Sequence, residues 1–231
     1  MNATAVLLSG GLDSTTALSW ALRRRGQVRA LTFDYGQRHR VEIRMARATC
    51  RRLGILLTVL KIDLTQIGGS ALTDKAIAIP RMKRFAHSRK GPPSTYVPFR
   101  NGVLLAVAAA WAEANGVREI ITGFNIIDSP DYPDTRPEFV RAMERAVNLG
   151  TASAFTGARI RLTAPFIRMR KSEIIALGLS LGTDYASSVS CYSGGEIPCG
   201  SCSSCLLRKR AFREAGIEDP LLARLRKEGK T

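Results

Sequence analysis

Two groups of residues in this sequence are spaced for chemistry. The first is Ser9-Gly10-Gly11-Leu12-Asp13-Ser14-Thr15, small and hydroxyl-bearing, set between an apolar run at Ala3–Leu8 and a helical pattern. Gly10 and Gly11 let the backbone take conformations a side chain forbids, and let a ligand come close. Such a turn, from a strand into a helix N-terminus, is a phosphate cradle: free N–H groups point outward and the helix dipole favours an anion. Asp13 or Ser14 can cap the helix that follows. No Gly-Lys-Ser/Thr follows the glycines and the third glycine of a dinucleotide fingerprint is missing, so neither of those phosphate loops is present. The second group is Cys191, Cys199, Cys202 and Cys205, a C-x7-C-x2-C-x2-C spacing with Gly194, Gly195, Pro198 and Gly200 to supply turns. Four thiolates so spaced suit tetrahedral zinc at about 2.3 Å per bond. Clustered C-x2-C-x2-C also suits an iron–sulfur cluster. No residue nearby suggests an open water position, so a zinc here would be structural. Cys50 falls in a helical pattern, as a buried or half-buried free thiol.

The elements that must position these groups alternate strand and helix. Ala3–Leu8 is an apolar strand, followed by a helix over Thr16–Arg24 with Ala17, Leu18, Ala21 and Leu22 on its apolar positions. Val28–Phe33 is the second strand, Gln37–Leu53 a helix closed by Gly54, and Ile55–Ile62 the third strand. Residues 63–98 are Gly-, Pro- and base-rich and weakly periodic, the pattern of a lid, binding loop or interface arm. Asn101 can cap a helix running to about Asn115, apolar almost all round from Val103 to Trp111 and therefore buried. Glu119–Thr122 is the fourth strand. A loop over Phe124–Arg136, with turn-forming Asp128, Asp131 and Asp134, leads to a helix over Pro137–Leu149 with proline in its first turn. Arg159–Thr163 is the fifth strand and Lys171–Leu181 a further helix. This order implies an α/β fold with a doubly wound, mainly parallel five-stranded sheet and helices on both faces. Ligands then sit at the carboxyl ends of the strands, which puts Ser9–Ser14 and Asp34–His39 on one edge. The expected division is an α/β domain over 1–182 and a cysteine-bearing helical region over 183–231.

The chain has 231 residues, with 35 Lys and Arg against 19 Asp and Glu, a net +16. A field of that sign attracts nucleotides, carboxylates or nucleic acid. The bases concentrate at Arg23–Arg25, Arg81–Lys90, Arg168–Lys171 and the C-terminal helix. A solvated basic surface and nucleic-acid contact both fit. No run approaches the ~20 apolar residues of a membrane span, and no basic stretch precedes an apolar core, so no membrane partner and no signal peptide are expected. Clustered cysteines suit a metal site in a reducing compartment, hence the cytoplasm.

The Ser9–Ser14 loop resembles the Ser-Gly-Gly-x-Asp-Ser loop of the PP-loop ATP pyrophosphatases, which bind ATP and pass AMP to a carbonyl or carboxyl oxygen. Together with the cysteines, the chain resembles the 7-cyano-7-deazaguanine (preQ0) synthases of the queuosine pathway almost end to end. The matching stretches are Ser9–Thr16, Phe33–His39, Val97–Asn101, Tyr132–Arg136, Pro165 with Lys171 and Glu173, Ser190–Tyr192 and Cys199–Cys202. Phe99 stands where a glycine is common, and Thr135 where a cysteine is common.

The resemblance implies an adenine nucleotide alpha hydrolase-like fold with a zinc-bearing C-terminal region. It implies ATP, Mg2+ and Zn2+ as cofactors and a homodimer as the assembly. The implied reaction is ATP-dependent conversion of 7-carboxy-7-deazaguanine and ammonia to the nitrile. Nucleotide binding is expected over Leu8, Ser9, Gly10, Gly11, Leu12, Asp13, Ser14, Thr15, Thr16, Ala17 and Leu18. Asp13 would orient the loop or hold Mg2+, and Lys171 and Arg100 would neutralise charge on the phosphoryl group. Arg38 is a candidate for the substrate carboxylate. Asp134 is a candidate acceptor for the guanine-like edge, with Tyr132 or Tyr35 stacking on the ring and Arg136 nearby. His39 is equally a structural histidine or a base, and His87 has no assigned role. Competing readings are a PP-loop tRNA-modifying enzyme of thiolase type, a non-catalytic nucleotide-binding module, and an amide-forming enzyme of another deazapurine pathway.

Overall fold

Five short apolar segments, bounded by glycines and polar residues, pair into one sheet in the computed structural model, which describes residues 3–24, 26–86, 91–127 and 130–230. They are β1 (Ala3–Leu7), β2 (Val28–Asp34), β3 (Leu57–Lys61), β4 (Val117–Ile121) and β5 (Arg161–Thr163). Their order is β3-β2-β1-β4-β5 and every pairing is parallel. β1 is central, with Val6 opposite Ala30 on one side and Ile121 on the other. It is buried on both faces, as parallel strands between helical layers must be. The strand order reverses between β1 and β4, which opens the crevice where such sheets bind ligands.

The helices are α1 (Leu12–Arg24), α2 (Val41–Leu53), α3 (Arg100–Ala114), α4 (Pro137–Gly150), α5 (Ser153–Thr156), α6 (Lys171–Ser180), α7 (Ser203–Glu214) and α8 (Pro220–Lys227). Alternate strand residues face opposite layers. Ala5, Leu31 and Ile120 pack against Leu105 and Ala108 of α3 and Val140 of α4. Val6, Ala30 and Ile121 pack against Leu18 of α1, Ala46 of α2, Ile174 of α6 and Phe212 of α7. The tail beyond residue 182 therefore shares the core of the sheet, through Tyr185, Ala211 and Phe212. A third, smaller cluster joins Val41 of α2 to Leu221 and Leu225 of α8 and to three of the cysteines.

Local rules misjudged three helix starts. α2 begins at Val41, four residues after the expected Gln37, so His39 stands in the turn ahead of it. α1 begins at Leu12, four residues ahead of Thr16, so Asp13 and Ser14 lie in its first turn and are not caps. The hydroxyls that disfavour helix elsewhere are satisfied here: Ser14 Oγ and Thr15 Oγ1 donate to the Gly11 carbonyl at 3.0 and 2.8 Å, and Thr16 Oγ1 to that of Leu12 at 3.1 Å. Asn101 does not cap α3. It is buried in the first turn, and its N–H donates to Asp134 Oδ2 at 3.0 Å. Asp134, on the 3-10 turn Pro133–Thr135, thus caps a helix more than thirty residues away. Phe99, just ahead of α3, is in the left-handed region at φ 50°. α5 has no periodicity long enough to foresee. Arg25, His87 and Asp128 lie outside the described residues. No helix among the described residues is long and apolar enough to cross a membrane. The solvent face of α2 carries Arg44, Arg47, Arg51 and Arg52; Arg44 pairs with Glu196 and Arg52 with Asp184.

Candidate active site and metal centre

At the carboxyl ends of β1, β2 and β4 lies a cavity of about 290 Å3. Its floor is the turn from β1 into α1. Gly10 has φ +91°, and a Cβ there would stand 2.2 Å from the Glu42 carbonyl oxygen of α2. Only glycine lets the turn lie this close to the helix. Gly123, at the end of β4, presses from the other side, where a Cβ would meet Asp13 C and Ser14 N at 2.8 Å. The turn is braced internally: Gly11 N–H donates to Ser9 Oγ at 3.2 Å, the Ser9 and Ser14 hydroxyls are 3.0 Å apart, and Ser9 N–H donates to Ser14 Oγ at 3.2 Å. Thr15 is the first residue of α1 to donate its N–H back to the turn, to Gly11 O at 3.1 Å. The N–H groups before it are those a helix start offers to an anion.

Charged side chains converge on this floor. Lys171, the first residue of α6, places Nζ 2.5 Å from Asp13 Oδ2. A cation at a helix N-terminus opposes the macrodipole, and the Asp13 carboxylate offsets that cost for Lys171. Asp13 Oδ1 is buried with no partner, a costly state that a cation or donor on a ligand would relieve. Arg100, at the start of α3, donates to the Tyr35 hydroxyl at 3.2 Å and to Asn101 Oδ1 at 3.3 and 3.2 Å. These partners are neutral, and no carboxylate forms an ion pair with Arg100 among the described residues, so its charge is available to an anion. Its guanidinium also lies 5.8 Å from the Tyr35 ring centroid. Burial pushes the Tyr35 hydroxyl pKa up, with Arg100 opposing the shift.

The four clustered cysteines meet beside this cavity. Their Sγ atoms all lie within 4.8 Å of one another, with 4.0 Å between Cys199 and Cys205. A single tetrahedral ion bound at about 2.3 Å needs sulfurs about 3.8 Å apart. A cluster in which each cysteine ligates a different iron spreads its thiolates further, so the tetrad fits one ion. Cys191 and Cys202 are 1% exposed, Cys205 8% and Cys199 half-buried, and four sulfurs complete a tetrahedral shell without a water ligand. Cys199 Sγ also accepts the Cys202 N–H at 3.4 Å. Cys50 stands apart in α2, where burial raises its thiol pKa to about 11, too high for a reactive thiolate.

The family model described as queuosine biosynthesis protein QueC matches residues 3–216. The chain belongs to this family. The 7-cyano-7-deazaguanine synthase of Methylococcus capsulatus is 47% identical over 223 residues, covering 95% of this chain and 98% of that protein. The enzyme of the same name from an Anaeromyxobacter species is 47% identical, covering 94% of each. Among solved structures, a 4-thiouridine synthetase–RNA complex with bound ATP superposes at a TM-score of 0.51 with 20% identity, over 99% of this chain and 53% of that one. NMN synthetase from Francisella tularensis superposes at 0.50 with 14% identity, over 94% and 78%. At those identities the likeness is one of fold: the PP-loop adenine nucleotide alpha hydrolase type.

Of the residues the family resemblance singled out, Leu8, Ser9, Gly11, Leu12, Asp13, Ser14, Tyr35, Arg100 and Lys171 line the one cavity. Gly10, Thr15, Thr16, Ala17 and Leu18 stand behind it; Thr16 Oγ1, for example, is 2.7 Å from the Tyr185 hydroxyl. Arg38 is elsewhere. Its guanidinium donates to the carbonyls of Asp74 and Ile77, at 2.5 and 3.0 Å, and so pins the long loop after β3. Tyr132 lies 3.2 Å from Thr95 Oγ1, Asp134 caps α3, and Arg136 lines a separate shallow pocket with Ile127 and Arg168. The cavity instead recruits Glu42, Phe124, Tyr192 and Arg208, together with His39. Arg208 has no local signal at all. It is buried in α7, bound to Asp219 at 2.6 and 2.8 Å, and reaches the site only through tertiary packing.

Proposed function

We propose that this protein is an ATP-dependent carbon–nitrogen ligase that converts 7-carboxy-7-deazaguanine and ammonia to 7-cyano-7-deazaguanine. The observation that carries the reading is the convergence of the phosphate-cradling turn, the Asp13–Lys171 pair and the cation of Arg100 on one cavity. Family membership supplies the substrate class.

A carboxylate is a poor electrophile because its oxygen is a poor leaving group. Transfer of AMP to that oxygen makes it a good one; ammonia then displaces AMP to give the amide. A second transfer, to the amide oxygen, lets that oxygen leave as AMP and gives the nitrile. Two ATP are consumed and two AMP and two pyrophosphates released. The N–H groups of the turn receive pyrophosphate. Lys171 and Arg100 offset charge spread over the phosphoryl oxygens as the in-line bond exchanges. Mg2+, a hard cation that takes oxygen ligands and neutralises phosphate charge, suits the free Oδ1 of Asp13. Tyr35, whose hydroxyl is held by Arg100, offers its ring to a purine-like substrate. Asp134 acts by fixing the start of α3 and hence Arg100, and Arg38 acts by holding the long loop. The cysteine tetrad would hold Zn2+ as a structural ion. A homodimer in a reducing compartment is part of the reading on the resemblance. Nucleic acid is not a reactant in it.

The test is mass spectrometry of the product after incubation with 7-carboxy-7-deazaguanine, ATP, Mg2+ and ammonium, with AMP counted alongside. Nitrile with two AMP per product supports the reading. Folded, ATP-binding protein that yields no product refutes it and makes tRNA the next substrate to try.

A further inference from the structure

The chemistry proposed above needs a proton acceptor. Near neutral pH ammonia is present mainly as ammonium, whose nitrogen has no lone pair to offer. Apart from the arginines, the titratable side chains lining the cavity are Asp13, Tyr35, His39, Glu42, Lys171 and Tyr192. Asp13 and Lys171 are committed to each other. Burial pushes the Tyr35 hydroxyl up, so it stays protonated, and a phenol such as that of Tyr192 is already a proton carrier near neutral pH. His39 and Glu42 remain.

Their geometry is that of an oriented base. His39 is 3% exposed, and its Nε2 lies 3.3 Å from Glu42 Oε2. A carboxylate on Nε2 favours the tautomer with its proton there, which leaves the Nδ1 lone pair free. Nδ1 is buried and has no hydrogen-bond partner. An unsatisfied buried nitrogen is expensive to keep, and a resident histidine with a purely structural role would have both nitrogens bonded. The ring is wedged between aromatic neighbours, with Tyr35 at 6.4 Å and Tyr192 at 5.9 Å between centroids. The titratable and charged groups around it are thus Glu42 from α2, Tyr35 from the end of β2, Tyr192 from the cysteine-bearing segment, and Arg100 of α3 behind the Tyr35 hydroxyl.

We propose, on the basis of the function given above, that His39, oriented by Glu42, is the general base for ammonia capture. Nδ1 takes one proton from ammonium. The nitrogen lone pair so released forms the N–C bond to the activated carboxyl carbon. The C–O bond to AMP breaks, and its electron pair leaves on the AMP oxygen. The added nitrogen then loses its surplus proton to water, and His39 returns its own proton to solvent before the next turnover.

The test compares wild type with His39→Gln in three assays. These are carboxylate-dependent exchange of labelled pyrophosphate into ATP, product formation with ammonium, and hydroxamate formation with hydroxylamine. Hydroxylamine is already neutral near pH 7 and needs no proton removed before it attacks. The expected result is exchange and hydroxamate formation within about threefold of wild type, and an ammonium-dependent rate lower by roughly 10²–10⁴-fold, the usual contribution of a general base. Glu42→Gln should show the same pattern with a smaller loss. Parallel loss in all three assays overturns the proposal, because His39 then only shapes the site. An unchanged ammonium rate overturns it as well. Wild type that makes neither amide nor nitrile overturns the parent reading along with it, whereas an active wild type with an equally active variant overturns only the role of His39.

Discussion

Replacing Gly10 with alanine asks whether the phosphate-cradling turn owes its position to α2. The new Cβ would lie 2.2 Å from the Glu42 carbonyl oxygen, 3.0 Å from its carbon and 3.2 Å from Ala46 N. All three are backbone atoms, so no side chain can swing aside. Ordinary contact begins near 3.4 Å, so turn and helix must part by about 1.2 Å in a close-packed interior. The positive φ costs an alanine about 1–2 kcal/mol, and forced repacking about 1–3 kcal/mol more. Gly54, which closes α2 at φ +66°, is the internal control, because a Cβ there meets nothing within 4 Å. Gly54→Ala should lose only the conformational part, and the entropy each alanine removes from the unfolded chain is common to both variants. In urea denaturation, Gly10→Ala should therefore fall about 1–3 kcal/mol below Gly54→Ala. In a chain of this length that is roughly 2–12 °C in melting temperature. The ATP kinetics should separate the two more sharply, since a shift of about 1 Å at a reacting group can cost roughly 10²-fold. Equal stability losses, or Gly10→Ala with wild-type ATP kinetics, would refute the reasoning.

Three further outcomes are expected. Asp13→Ala should abolish AMP release while circular dichroism stays that of wild type; AMP release at the normal rate would remove Asp13 from the phosphate site. Cys202→Ala should lower bound metal from about one ion per chain to near none and lower the melting temperature, and a chelator should reproduce the shift in wild type; unchanged metal content and melting would refute the tetrad. Asp219→Ala should cost about 3–5 kcal/mol, because it strands the buried Arg208 charge and also removes the carboxylate that caps α8 at Leu221 N–H. The loss should persist in high salt, which screens buried pairs little, and an unchanged denaturation midpoint would count against it.

Most strands and helices were legible because each is a run of local pattern: apolar stretches between glycines, or apolar positions repeating at helical spacing. The parallel order followed from their alternation, and the gathering of the four cysteines from their separation. What was not legible depended on contacts across the chain. Asn101 is a good cap by type, but Asp134 supplies the cap from a distant turn. Arg38 has the fork geometry for a carboxylate, yet the carbonyls of Asp74 and Ile77 claim it. Gly123 carries no motif, and its need for hydrogen in place of a side chain appears only once β4 lies against Asp13. His39 and Glu42 are three residues apart in the expected helix; in the structure His39 stands in the turn before α2 and Glu42 in its first turn, and nothing local shows that both line the cavity with the Ser9–Ser14 loop.

The segment that bears the cysteines also touches that loop. Val189 N–H donates to the Gly10 carbonyl at 3.0 Å, two residues before Cys191, and Ser190 and Tyr192 line the cavity. An ion at the tetrad and a nucleotide at the turn would both bear on this one stretch of backbone. Thermodynamic reciprocity sets the terms: by whatever factor the ion tightens nucleotide binding, nucleotide tightens retention of the ion. If that factor is above one, ATP should slow the loss of an ion held at the tetrad to a chelator, and removal of that ion should weaken nucleotide binding by the same factor.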